Sequence, residues 1–219
     1  MRVLSEYINN DLKPISVNDL LVTVQDFFMD VPYTHFPVLE NEVYLGCISA
    51  VDAETFDMNK KVSDYRYAFE GFFVRNNMVW LDVLEVFARN NSNIVPILNE
   101  NNQYIGYYQI TDVIKFLNET PFLKETGGII VVEKAVIDYS MSQIAQIVES
   151  NNGKLLGLFV SEANNDKVQI TVKTTLGGMN DIIQTFRRYN YEIVSEHNED
   201  NYINNLKERS EYLDKYLNI

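Results

Sequence analysis

Apolar residues near the N-terminus recur at the spacing of a helix that is packed on one side. Residues 18–29 follow this spacing and predict a helix, for which Asn18 is the expected N-cap. Apolar runs around it predict strands over residues 12–15, 35–39 and 43–49, followed by a second helix that begins near Val51. The pattern therefore predicts a β-α-β-β-α unit.

The same order of elements returns further along the chain. It predicts strands over residues 72–74, 94–98 and 104–109, and helices over residues 78–89 and 111–117. Pro37 recurs as Pro96 after 59 positions, and Gly46 and Asp52 recur as Gly106 and Asp112 after 60. Two copies of one unit usually stack and bury a shared core. Ligand sites often lie in clefts between such units.

A different pattern follows from Gly127 onwards. Strands are predicted over residues 129–132, 155–160, 168–172 and 192–196, with helices over residues 141–149 and 179–189. This β-α-β-β-α-β order is that of the ferredoxin-like fold, with a four-stranded antiparallel sheet covered by helices on one face. Residues 199–219 predict a last helix, which either packs on its own domain or forms a short dimer seam.

Composition and charge narrow the classes of function. The chain has 219 residues, of which 46% are hydrophobic and 22% charged, as expected of a globular protein. Its net charge of −13 disfavours nucleic acid and anionic membranes as partners, since both attract positive surfaces. The single cysteine, Cys47, forms no disulfide within the chain and suits the cytoplasm. No signal peptide or membrane-spanning stretch is expected.

Catalytic and metal-binding motifs are not recognised in the chain. The two histidines, His35 and His197, lack cysteine or carboxylate partners at the spacing of a metal site. No phosphate-binding loop, nucleophile elbow or Ser/His/Asp set is found. We therefore expect a non-catalytic protein without a metal or a cofactor.

The repeated segment resembles a known family. Gly46, Ser49 and Asp52 form a Gly-x-x-Ser-x-x-Asp stretch that resembles the characteristic motif of cystathionine-β-synthase (CBS) domains. In the second copy Gly106 and Asp112 match this motif, but Gln109 replaces its Ser or Thr.

The third pattern is similar to an ACT domain, and the whole arrangement is similar to bacterial acetoin-utilisation-type proteins. The resemblance implies an α+β fold in which a CBS-domain pair precedes a ferredoxin-like, ACT-like domain and a C-terminal helix. The expected boundaries are residues 1–60 and 61–121 for the two CBS repeats, 127–198 for the ACT-like domain and 199–219 for the helix.

The resemblance also implies that an adenosine nucleotide (AMP, ADP, ATP or S-adenosylmethionine) binds in the groove between the repeats. Asp52 would accept hydrogen bonds from the ribose hydroxyls, with Ser49 beside it. The purine would lie among Ile15, His35 and Phe36. The mirrored site would use Val74, Ile94, Val95, Gln109 and Asp112.

Alternatives to this site remain open. Ser-x-x-Asp at the start of a helix is also ordinary capping chemistry. In the second copy Gln109, Tyr107 and Tyr108 are large enough to fill the groove. The cations that could meet phosphates, judged by closeness to the motifs or to the linker between the repeats, are Lys13, Arg66, Arg75 and Lys115.

Two functions follow as expectations. The first is a non-catalytic regulatory protein that senses an adenosine nucleotide in the groove of the CBS pair. The alternative is a dimerisation or assembly module that has no small-molecule ligand. A homodimer is expected in either case.

Overall fold

The computed structural model describes residues 4–195. They fall into two compact units that divide between Leu117 and Asn118. The predicted C-terminal helix lies outside the described residues. Among the residues that are described, no helix is both long enough and apolar enough to cross a membrane.

The N-terminal unit contains two copies of the predicted β-α-β-β-α order. The first copy consists of β1 (Ile15–Ser16), α1 (Leu21–Asp30), β2 (His35–Glu40), β3 (Val43–Ser49) and α2 (Ala50–Thr55). The second consists of β4 (Val74–Arg75), α3 (Trp80–Arg89), β5 (Ile94–Leu98), β6 (Tyr104–Gln109) and α4 (Ile110–Asn118). Two 3-10 helices, Leu4–Tyr7 and Val62–Ala68, precede the first and second copies.

Each copy forms a three-stranded sheet with the same pairing. β1 is parallel to β2, which is antiparallel to β3, and β4, β5 and β6 repeat this arrangement. Even the irregularity in register recurs, after Val38 in the first sheet and after Ile97 in the second. The repeat in the sequence is therefore a repeat in the backbone.

The start of α1 differs from the prediction. Leu20, not Asn18, occupies the N-cap position, and its side chain makes no capping hydrogen bond. The N–H groups of Leu21 and Val22 donate instead to the carbonyls of Lys60 and Met58, at 2.9 and 3.1 Å. Because backbone carbonyls from a distant loop satisfy these donors, the helix needs no polar side chain at its N-terminus.

The C-terminal unit has the ferredoxin-like arrangement. After a short helix α5 (Pro121–Lys124), it consists of β7 (Gly128–Ala135), α6 (Met141–Ser150), β8 (Leu155–Ala163), β9 (Lys167–Thr174), α7 (Met179–Arg188) and β10 (Glu192–Ile193). The antiparallel sheet has the strand order β10-β7-β9-β8. Alternate residues of the strands are buried with α6 and α7 in one core, as Ile130, Ile144 and Phe186 illustrate. The fold is therefore mixed α+β, as the sequence predicts.

Candidate functional site

Residues at equivalent positions of the two repeats meet each other. Thr34 and Asn93 are 59 positions apart, which is the offset of this part of the repeat. The Thr34 N–H donates to Asn93 Oδ1 at 2.9 Å, and the Asn93 N–H donates to Thr34 Oγ1 at 3.1 Å. Val43 and Gln103, also equivalent, form an antiparallel bridge. The repeats therefore pack around an approximate two-fold axis that passes between these pairs.

The segment that precedes each repeat crosses to the other repeat. Asn9 exchanges both backbone hydrogen bonds with Tyr107 in β6, at 2.9 and 2.8 Å. Glu70 does the same with Cys47 in β3, at 2.8 Å for both bonds. Each repeat therefore has a segment of the other repeat's leading chain paired with its third strand: Glu70 beside β3 and Asn9 beside β6.

The two motif glycines permit this crossing. Gly46 and Gly106 have φ angles of +148° and +143°, which non-glycine residues rarely adopt. A Cβ atom at Gly46 would lie 3.0 Å from the Glu70 carbonyl oxygen, and one at Gly106 would lie 2.4 Å from that of Asn9. The glycine of the Gly-x-x-Ser/Gln-x-x-Asp motif is thus a requirement of backbone packing.

A cavity of about 570 Å³ opens beside the first motif. This volume lies within the range of sites for small molecules. We call it the first groove. It is lined by residues of both repeats and of the crossing segment: Tyr33, Thr34, His35, Ser49, Ala50, Val51, Asp52, Glu70, Asn90 and Asn91.

Ser49 and Asp52 have different roles in the first groove. Ser49 Oγ accepts a hydrogen bond from the Asp52 N–H at 3.0 Å and so caps α2. Its hydroxyl proton has no acceptor among the described residues, although Ser49 is only 8% exposed. The Asp52 carboxylate likewise has no donor in the part of the chain that the structure describes. Both groups are therefore available to a ligand.

His35 lies opposite Ser49 in the register of β2 and β3, so both side chains face the first groove. Its Nε2 atom is 3.2 Å from Glu70 Oε1, and its Nδ1 atom is 2.9 Å from Thr34 Oγ1. Both ring nitrogens are thus engaged. The His35 side chain is 8% exposed, whereas the Glu70 side chain is 42% exposed. Glu70 therefore holds the histidine in place and still presents a carboxylate to the cavity.

The equivalent region around Gln109 and Asp112, which we call the second groove, is occupied by the protein itself. Asp112 Oδ2 accepts a hydrogen bond from Asn9 Nδ2 at 2.8 Å, and Oδ1 accepts one from Lys115 Nζ at 3.0 Å. Gln109 Nε2 donates to the Tyr33 hydroxyl at 2.9 Å. The polar groups that correspond to those of the first groove are therefore already satisfied.

Tyr107 lies two residues before Gln109 in β6 and packs in the hydrophobic core with residues of the first repeat. Tyr107 is fully buried, and its hydroxyl donates to Asp11 Oδ1 at 2.7 Å. Burial, followed by the hydrogen bonds with Tyr33 and Asp11, raises the pKa of Tyr107 far above its ordinary value. The phenol is therefore a permanent hydrogen-bond donor that ties the N-terminal segment to β6.

The expected purine contacts are divided between the cavity and the core. His35 lines the first groove, but Ile15 and Phe36 are buried in the hydrophobic core, where they are 5% and 0% exposed. In the second copy, Val74, Ile94 and Val95 are likewise buried in the core of the unit. The side chains of Ile15 and Phe36 do not line the first groove.

The cations considered for phosphate binding lie elsewhere. Arg66 pairs with Glu40, Lys115 with Asp112, and Arg75 donates to the Asn99 carbonyl. Lys13 is exposed on the surface. No lysine or arginine of the described chain lines the first groove.

Of the residues that line the first groove, only His35, Ser49 and Asp52 were predicted as site residues from the sequence; those that were not include Tyr33, Glu70, Asn90 and Asn91. Glu70 arrives through the crossing segment, and the two asparagines follow α3 of the other repeat. The sequence signal for the crossing is the pair of motif glycines, Gly46 and Gly106, because the crossing backbone passes close to both. Among the described residues no group of three or more His, Cys, Asp or Glu side chains is arranged to hold a metal ion.

Comparison with known proteins agrees with the repeat architecture. Residues 58–119 match the family model of the CBS domain. The match covers the second repeat, and the first repeat has the same element order and strand pairing. These observations support a CBS domain pair in the N-terminal unit.

Individual relatives are distant. The chain is 25% identical over 134 residues to the uncharacterized protein MJ0188 of Methanocaldococcus jannaschii, which covers 61% of this chain and 51% of that protein. It is 22% identical over 115 residues to the CBS domain-containing protein MJ0729 of the same organism, covering 52% and 93%. The chain thus spans about half the length of MJ0188. A CBS domain pair/ACT domain protein from Thermotoga maritima shares 14% identity and a TM-score of 0.48, covering 54% of this chain and 98% of that one.

Proposed function

We propose that the N-terminal unit is a regulatory module that binds one adenosine nucleotide in the first groove. The observation that carries this proposal is the contrast between the two motif aspartates. Asp112 is satisfied by Asn9 and Lys115, whereas Asp52 faces a cavity without a protein donor among the described residues. A carboxylate held without a partner at the start of a helix is suited to receive the hydroxyls of a ligand.

In this proposal Asp52 accepts hydrogen bonds from both ribose hydroxyls. Each such bond to a charged acceptor contributes roughly 1.5–3 kcal/mol. The free hydroxyl proton of Ser49 is donated to the same sugar. The purine lies against His35 and the ring of Tyr33, with Ile15 and Phe36 supporting the strands from the core. Gln109 and Asp112 hold the second groove closed.

Regulation would act through the contact between the repeats. Thr34 touches His35 inside the first groove and Asn93 in the other repeat. A ligand that contacts both repeats shifts the equilibrium between arrangements of the repeats towards the one that it binds more tightly. The size of the shift is set by the difference in its affinity for the two arrangements. The C-terminal unit or a partner would respond to that arrangement.

Isothermal titration calorimetry tests this proposal. The full chain is titrated with AMP, ADP, ATP and S-adenosylmethionine, and we expect one site per chain for at least one of them. Asp52→Ala should weaken that binding by about a hundredfold or more, since it removes two hydrogen bonds to a charged group. The matched variant Asp112→Asn should bind as the parent does. Absence of binding by all four compounds at millimolar concentration, with folded protein, rejects the proposal.

A second candidate function is assembly without a ligand. Two equivalent pairs of apolar residues are exposed at the starts of α1 and α3: Leu20 and Val79, at 45% and 60%, and Val22 and Leu81, at 37% and 60%. Exposed apolar side chains in equivalent places favour a symmetric contact between copies. Light scattering separates the two functions, because a homodimer whose mass and shape are indifferent to nucleotide supports assembly alone.

We also propose that the C-terminal unit is an ACT-like domain. The proposed boundaries are residues 1–60 and 61–121 for the two CBS repeats and 127–198 for the ACT-like domain. Its βαββαβ order and strand order support this assignment. We propose that the protein is non-catalytic and acts in the cytoplasm; the single, buried cysteine suits that reducing compartment. Limited proteolysis that releases a stable fragment beginning between residues 118 and 127 would support the boundary between the second and third domains.

A further inference from the structure

We infer that the first groove prefers an adenosine derivative whose 5′ substituent is cationic or uncharged, such as S-adenosylmethionine, over nucleoside phosphates. This inference rests on the proposed function and narrows its ligand class. The reason is the sign of the charges that face the cavity: Asp52 and Glu70 line it, and no lysine or arginine of the described chain does so.

Phosphate recognition normally depends on cationic side chains or on free backbone N–H groups. No cationic side chain of the described chain lines the first groove, and of the first three N–H groups of α2 only that of Val51 has no acceptor. The N–H of Asp52 is taken by Ser49 Oγ at 3.0 Å, and that of Ala50 is taken by the Thr34 carbonyl at 2.8 Å. The start of α2 therefore has two fewer donors for an anion.

His35 does not supply the missing positive charge to a phosphate. Its Nε2 atom faces Glu70 and its Nδ1 atom faces Thr34, so no ring N–H is directed at the cavity. Even a protonated ring would have the Glu70 carboxylate as its nearest counter-charge. The net charge of the chain, −13, adds a further unfavourable field for an anion.

Glu70 is placed to attract a cation instead. Its carboxylate contacts His35 through Oε1, while the side chain as a whole is 42% exposed. Asp52, across the same cavity, binds the sugar in the proposed function and leaves Glu70 to meet the 5′ substituent. A sulfonium or ammonium group on the 5′ carbon would gain an opposite charge there, whereas a phosphate would face a like charge.

The experiment is a comparison of ligands on the full chain by isothermal titration calorimetry. The probes are S-adenosylmethionine, adenosine, AMP and ATP, in buffer with EDTA so that no divalent cation neutralises the phosphates. We expect S-adenosylmethionine or adenosine to bind at least about tenfold more tightly than ATP, with AMP between them. Added NaCl should weaken S-adenosylmethionine binding and should not weaken ATP binding.

The variant Glu70→Gln tests the source of the selectivity. It should reduce the ratio of the S-adenosylmethionine affinity to the ATP affinity several-fold. The ratio is the readout because Glu70 also holds His35, so a displaced histidine would weaken the binding of both ligands alike. Glu85→Gln, which removes an exposed carboxylate paired with Arg89 outside the groove, should leave all affinities unchanged. If Glu70→Gln does not fold, the order of the four affinities in the parent protein and its salt dependence still decide whether the groove disfavours phosphates.

The outcomes separate the two proposals. Binding of AMP or ATP that equals or exceeds binding of S-adenosylmethionine and adenosine overturns this inference and leaves the proposed function standing. An unchanged preference in folded Glu70→Gln also overturns it. Absence of binding by every probe rejects the proposed function itself, and this inference with it.

Discussion

Thr34 and Asn93 occupy the same position in the two repeats and hydrogen-bond to each other across the interface. Asn93 Oδ1 lies 2.9 Å from the Thr34 N–H and 3.2 Å from Thr34 Oγ1, and Asn93 Nδ2 donates to the Pro32 carbonyl at 2.6 Å. The Thr34 hydroxyl donates to Asn93 Oδ1 and also lies within hydrogen-bond distance of His35 Nδ1, at 2.9 Å. The first groove and the repeat interface therefore share one hydroxyl group, that of Thr34.

We predict that Thr34 and Asn93 are energetically coupled. Thr34→Val and Asn93→Ala should each lower the free energy of unfolding by about 0.5–1.5 kcal/mol, because each removes hydrogen bonds between the repeats. The double variant should cost less than the sum, with a coupling of at least about 0.5 kcal/mol. Urea denaturation of the four proteins measures this cycle. Additive losses would show that the two residues act independently.

Gly106→Ala should be strongly destabilising. The new Cβ would lie 2.4 Å from the Asn9 carbonyl oxygen, and the φ angle of +143° is strained for alanine. We expect a loss of about 1–3 kcal/mol or more. Gly71→Ala is the control, because no heavy atom lies within 4 Å of its Cβ position, and its effect should stay within about 0.5 kcal/mol. Equal melting temperatures for the two variants would contradict the close crossing of the N-terminal segment.

The two motif aspartates should differ in their contribution to stability. Asn9→Ala removes a donor from the nearly buried Asp112 carboxylate and should cost about 1–3 kcal/mol. Asp52→Asn removes a carboxylate that has no protein donor among the described residues, so the change in unfolding free energy should be within about 0.5 kcal/mol. Thermal unfolding of both variants without ligand measures this. A large loss in Asp52→Asn would mean that Asp52 is structural.

Stability should fall at alkaline pH. Burial raises the pKa of the Cys47 thiol from 9.0 to about 12, and burial likewise raises the pKa of Tyr44 far above its ordinary value. A group whose pKa is raised in the folded protein makes its full contribution to stability below its unfolded pKa. That contribution is lost as the pH rises from the unfolded pKa to the folded pKa. For Cys47 the window begins near pH 9 and ends near pH 12.

Each group that ionises only on unfolding contributes a slope of about 1.4 kcal/mol per pH unit. Denaturation of the parent protein between pH 8 and pH 10.5 should show this decline in the free energy of unfolding. Cys47→Ala should make the decline less steep by about the contribution of one ionising group. The native thiol should also resist a thiol-specific reagent at pH 8 and react on unfolding. Rapid modification of the folded protein would contradict the burial of Cys47.

Much of the fold follows from local pattern. The strands over residues 43–49, 94–98 and 104–109 have the predicted bounds, because each is an apolar run between polar turns. The start of α1 was predicted wrongly because its donors are satisfied by Lys60 and Met58, which are remote in sequence. A capping rule that considers only neighbouring residues does not detect such a partner.

The candidate site likewise has a part that follows from local sequence and a part that depends on contacts between residues remote in sequence. The proximity of Ser49 and Asp52 comes from their spacing at the end of one strand, so the sequence is sufficient to predict it. Asn9 and Glu70 enter the grooves through crossing segments, and their partners Asp112 and His35 lie 103 and 35 positions away. Which groove is open and which is closed depends on these long-range contacts, and the motif alone does not reveal it.

The most direct test is a crystal structure of the full chain grown with millimolar adenosine. We predict density for one nucleoside per chain in the first groove, with its ribose hydroxyls within hydrogen-bond distance of Asp52 and with Asn9 still bound to Asp112. Density beside Gln109 and Asp112 instead, or a first groove without density at that concentration, would contradict the account.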